Sequence, residues 1–100
     1  MSVRIDIPKD RIAGFCQRWQ IKELAIFGSA LRDDFRPGSD VDVLVVFEDT
    51  APWGLFDLMR AEEELEQILG REVDLVEKSA VRNPFRRHQI LSHREVIYAA

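Results

Sequence analysis

The segment Asp40 to Phe47, DVDVLVVF, constrains the fold more than any other stretch of the chain. It alternates at its start and then becomes wholly apolar, the pattern of a central strand whose first residues emerge at the edge of a sheet. Side chains two apart on a strand share a face, so Asp40 and Asp42 project together while Val41 and Val43 point the other way. Adjacent carboxylates repel, and such a pair costs stability unless a cation compensates. Hard oxygen ligands of this kind suit Mg²⁺, which is usually held by one or two carboxylates with water and substrate phosphates.

The flanking segments supply the remaining elements. Pro8 followed by Ile12, Phe15, Cys16 and Trp19 gives an i, i+3, i+4, i+7 stripe, an amphipathic helix with proline in its first turn. Glu23 to Phe27 (ELAIF) is a short strand ended by Gly28-Ser29, and Ala30 to Phe35 suits a helix of one or two turns before the Pro37-Gly38 turn. Thr50 is a candidate cap for a helix beginning near Pro52. Its apolar face comprises Leu55, Leu58, Met59, Leu65, Ile68 and Leu69, and Gly70 stops it. Glu72 to Val76 (EVDLV) reads as another strand, Asn83-Pro84 opens a C-terminal helix, and Val96 to Tyr98 adds a last strand or packs down. Helices interleaved with strands predict an α/β (α+β) architecture: a small mixed sheet of three or four strands flanked by helices.

At 100 residues the chain has material for one core, and residues 1–100 are read as a single domain. The formal net charge is −4, from 14 Lys and Arg against 18 Asp and Glu, which argues against direct nucleic-acid binding. That charge is unevenly spread. Glu48 to Glu77 carries ten acidic residues against two basic, whereas Arg82 to Arg94 carries four arginines, two histidines and no acid. The basic stretch reads as a solvated helix face, with Arg86 or Arg87 as candidate contacts to nucleotide or partner. His88 and His93, five apart with no cysteine nearby, lack zinc-site spacing. Cys16 is the only cysteine and reads as a small buried hydrophobe, and Trp19, Trp53 and Phe56 as core or interface residues. There is no signal-peptide pattern and no run near the roughly 20 apolar residues of a membrane span, so the expectation is a cytoplasmic protein.

Three features bear on chemistry. Asp74, between Val73 and Leu75, places an acid in the middle of a core-facing pattern, where a neighbouring strand would let it join Asp40 and Asp42. Three converging carboxylates can position one or two metal ions for in-line attack on phosphorus. Gly28-Ser29 ends a strand where a helix opens, so free N–H groups and the helix dipole favour an anion. The Ser29 hydroxyl adds a donor, and Arg32 lies on the same helical side, within reach of a polyphosphate or of a surface acid. Read separately, each has an ordinary alternative: a tight turn at Gly28-Ser29, a solvated strand start at Asp40 and Asp42, an exposed acid at Asp74.

The combination is more specific. Gly28-Ser29, ten residues, Asp40-Val41-Asp42 and then LVVF, with the third acid at Asp74, resembles the signature of the DNA polymerase beta superfamily of nucleotidyltransferases. The length and the ending RNPFRRHQILSHREVIYAA are similar to the minimal nucleotidyltransferases, also called MNT or MntA-like proteins. One departure is Asp33, where many members have glycine after the arginine of the short helix.

This resemblance implies a polymerase beta-like fold with ATP as substrate. Asp40, Asp42 and Asp74 would be the catalytic and metal-binding residues, and Gly28, Ser29 and Arg32 the nucleotide-binding ones. It further implies an antitoxin in a hetero-oligomer with a HEPN-domain toxin, transferring AMP to a hydroxyl of the toxin, a tyrosine in some members. The alternative is a non-catalytic module that neutralises the toxin by occlusion. Nucleotide transfer to a small molecule such as an aminoglycoside fits less well, because known enzymes of that type carry a further domain.

Overall fold

The computed structural model describes residues 7–28 and 40–100. The order is α1 (Lys9–Arg18), β1 (Ile21–Phe27), β2 (Val41–Phe47), α2 (Leu55–Leu69), β3 (Val73–Glu77), a 3₁₀ turn (Lys78–Ala80), α3 (Pro84–Ser92) and β4 (Arg94–Ala99). The four strands form one sheet in the order β3-β2-β1-β4. β1 runs antiparallel to both β2 and β4, and β2 runs parallel to β3, so the sheet is mixed as its sequence predicts. The short helix expected over 30–35 lies outside the described residues.

Both faces of β2 are covered. Val41, Val43 and Val45 pack with Ile12, Phe15 and Cys16 of α1 and Ala61 and Leu65 of α2 into the larger core. Leu44 joins Ala25, Phe27, Val81 and Ile90 in a smaller core under α3, with Val76 and Leu91 at its margin. A wholly apolar strand is thereby buried on either side, the arrangement its composition requires. Among the described residues no helix is long and apolar enough to cross a membrane.

Helix α2 begins later than Thr50 suggests, because the preceding chain is pinned elsewhere. The Trp53 indole donates to the Trp19 carbonyl at 2.6 Å and meets the Trp19 ring edge-on, centroids 4.9 Å apart. The cap falls instead at Gly54, whose N–H donates to the Asp57 carboxylate at 3.1 Å. Its buried stripe runs through Leu58, Ala61, Leu65 and Ile68. Leu55 and Met59 turn roughly 100° or more from that stripe at 100° per residue, so they are exposed rather than core, as is Phe56. Gly70 ends the helix in the left-handed conformation, φ 68°, the geometry that favours glycine there. For α3 the signals hold: Asn83 Oδ1 accepts from Phe85 and Arg86 N–H, and Pro84 fills the first position.

Both flanks of the sheet are tied down by charge. Glu62 and Glu66 of α2 accept hydrogen bonds from the Leu75 and Val73 N–H groups of β3, at 2.9 and 3.0 Å. On the other side Arg94 of β4 donates to the Leu91 carbonyl at the end of α3, 2.7 Å away, and pairs with Glu23 of β1 at 3.4 Å. The first pairing satisfies donors at an otherwise bare strand edge, and the second locks β4 to its neighbours.

Cys16 is fully buried, and desolvation pushes its thiol from 9.0 up to about 12. The folded state therefore keeps the proton where the unfolded chain releases it. This stabilisation is present below about pH 9 and lost as pH rises towards 12, with an upper bound on the order of 4 kcal/mol. Urea unfolding at stepped alkaline pH should show a steeper loss of stability for the wild type than for Cys16→Ala. Equal slopes would contradict the buried thiol.

Candidate active site

The register of β2 and β3 pairs Asp42 with Asp74 directly. In the same row across the sheet Phe27 of β1 faces Asp42, and Arg94 of β4 faces Phe27. Val41 and Val43 belong to the α1–α2 core, as do Val73 and Leu75. Strand alternation therefore turns Asp42 and Asp74 to the opposite face, the one that α3 covers farther along. Asp42 is half-buried and Asp74 exposed, so the two carboxylates open from the sheet towards solvent.

Gly28 follows β1 with φ 72°, a left-handed conformation that β-carbon-bearing residues seldom adopt. A Cβ there would run into Asp42 Oδ2 and lie 3.2 Å from its Cγ. The glycine thus makes room for the Asp42 carboxylate. A strand-ending glycine is visible in sequence, whereas the carboxylate that needs its space is supplied by the antiparallel register and is not.

Of the residues singled out from sequence, Gly28, Asp42 and Asp74 come together on one patch. Asp40 is exposed, immediately before β2, two residues from Asp42. Ser29, Arg32 and Asp33 lie outside the described residues. Among the described residues no three His, Cys, Asp or Glu side chains form a ready-made metal cage. The donor chemistry and the Gly28 cradle nevertheless fit Mg²⁺, which needs only one or two carboxylates when phosphates and water complete its shell. Asp42 and Asp40 would hold it, with Asp74 in register beside Asp42.

Residues 10–97 match the family model for the nucleotidyltransferase domain. The chain belongs to that family. This nucleotidyltransferase is 38% identical over 82 residues to the protein adenylyltransferase MntA of Thermococcus cleftensis, covering 82% of this chain and 78% of that one. Among solved structures it resembles a chain assigned to the minimal nucleotidyltransferases, with 32% identity, TM-score 0.70, and coverage of 86% and 85%. A toxin–antitoxin crystallised with AMP-PNP shares its fold at TM-score 0.74 and 18% identity, covering 94% of this chain and 75% of that one. So does a chain from a complex of a tri-AMPylated Shewanella oneidensis HEPN toxin with an MNT antitoxin, at TM-score 0.66 and 17% identity, with coverage of 92% and 70%.

Substituting Gly28→Ala imposes both backbone strain and the collision with Asp42, for a combined cost of about 2–6 kcal/mol. In an Asp42→Gly background the collision disappears and only the strain remains, about 1–3 kcal/mol. A double-mutant cycle by urea denaturation should therefore give a smaller Gly28→Ala penalty when Asp42 is absent. Strict additivity would show that the two residues are not in contact.

Proposed function

We propose that this nucleotidyltransferase works as one catalytic unit in a reducing cytoplasm, transferring AMP from ATP to a hydroxyl of a partner HEPN-domain toxin, with a tyrosine as acceptor. The observation that carries the reading is the in-register pair Asp42–Asp74 with Gly28 packed on the Asp42 carboxylate. Support for the acceptor class comes from the relative named a protein adenylyltransferase and from the tri-AMPylated toxin held by a protein of the same fold.

In this reaction the acceptor oxygen attacks the α-phosphorus of ATP, the bond from that phosphorus to the β-phosphate bridging oxygen breaks, and pyrophosphate leaves. Asp74, the more exposed carboxylate, receives the acceptor proton. Asp42 and Asp40 would hold Mg²⁺, which when bound would supply positive charge to the phosphate oxygens. Gly28 lets the polyphosphate approach the backbone, and Ser29 and Arg32 donate to it. A protein acceptor suits an exposed carboxylate on a small domain, since the substrate hydroxyl arrives on a surface the enzyme does not have to build.

Asp42→Asn should abolish transfer of label from α-³²P ATP to the toxin, a loss of at least about 10³-fold, while thermal unfolding stays cooperative. Retained transfer would sink the role given to Asp42. The Asp40→Ala, Asp42→Ala double variant, expressed beside the toxin, separates catalysis from occlusion: restored toxicity marks antitoxicity as enzymatic, whereas full protection marks it as contact alone.

A further inference from the structure

Both α2 and α3 begin at the end of the sheet away from Asp42 and Asp74. There the C-terminal half of β2, the loop into α2, the 3₁₀ turn and Arg87 of α3 enclose a cleft of about 750 Å³. Asp42 is three residues from Val45, the nearest β2 residue of the cleft, so the cleft begins roughly 10 Å of strand from the candidate active site. Apolar surface gathers around this end. Leu55 and Phe56 are 71% and 77% exposed at the start of α2, and Phe85 is 83% exposed at the start of α3. Exposed apolar side chains at one end of the sheet suit an interaction surface.

The two walls differ in charge balance. Glu48 and Asp49 stand on the β2–α2 side, both exposed; the opposite wall carries Lys78 and Arg87 beside the half-buried Glu77, and the exposed Arg82 and Arg86 tip that side to net positive. A surface with an acidic half, a basic half and apolar side chains flanking both is complementary to itself after a half-turn. Acid then meets base twice, and the α2 apolar residues meet Phe85 of the other copy. This is the requirement of an isologous twofold contact.

We infer that the α2–α3 end is a homodimer interface, occupied by a second copy of this chain and leaving the Asp42–Asp74 patch of each copy facing outward. The inference is independent of the nucleotide chemistry, which lies at the other end of the strands.

The test is sedimentation equilibrium of the full chain at concentrations up to about 100 µM, which registers dimers with Kd in that range or tighter. The wild type is expected to approach dimer mass. The variants Glu48→Lys/Asp49→Lys and Arg82→Glu/Arg86→Glu should each lose self-association at least about tenfold, because like charges then face each other twice. Mixed in equal amounts, the two variants should recover a dimer, since both charge contacts are restored in the heterodimer. Circular dichroism melts confirm that each variant is folded. A wild type of monomer mass throughout, unaffected charge-reversed variants, or an open series of larger species would each overturn the proposal. If the chain is monomeric alone but Phe56→Glu breaks its complex with the toxin, the surface belongs to the toxin instead.

Discussion

Strand β2 is held on four sides, and the remaining elements are arranged around that requirement. Its backbone bonds antiparallel to β1 and parallel to β3, and its side chains enter the α1–α2 core on one face and the α3 core on the other. Parallel pairing of β2 and β3 obliges the chain to cross over between them, and α2 is that crossover, buried through Ala61 and Leu65. Such pairing also sets Asp42 opposite Asp74. A slip of one residue in that register would turn Asp74 towards the α1–α2 core and bring Val73 or Leu75 to the surface beside Asp42. The burial of those two residues is therefore what aims the third acid.

Much of this was legible in the sequence because it rests on local pattern. DVDVLVVF declared a central strand, EVDLV a strand with Asp74 set between apolar neighbours, and Asn83-Pro84 a helix start, each a matter of alternation or capping chemistry within a few residues. What stayed hidden depends on pairing across distance. Thr50 is an acceptable cap by composition, and only the hold of Trp53 on Trp19, far away in sequence, moves the start to Gly54. Leu55, Phe56 and Met59 are apolar by type, yet the face they occupy is decided by where the sheet lies beneath α2. The Gly28–Asp42 packing belongs to the same class, being legible as two motifs and not as one contact.

The placement of the carboxylates also explains how a small domain keeps acids on an otherwise apolar sheet. The α3 core fills the face around Leu44 and Phe27, and Asp42 stands at the margin of that filling, half-buried. Full burial would penalise its charge, and full exposure would weaken its field through solvent screening. A marginal position leaves one side of the carboxylate open to a ligand.

The Glu62 and Glu66 carboxylates on the backbone of β3 have a consequence for how this architecture can be enlarged. Strand addition needs free donors along an edge, and on this edge two of them already point at the protein's own helix. A strand contributed by a longer homologue or by another polypeptide would have to displace two charge-assisted bonds to enter there. The parallel pair that carries Asp42 and Asp74 is therefore shielded on its outer side from an incoming strand.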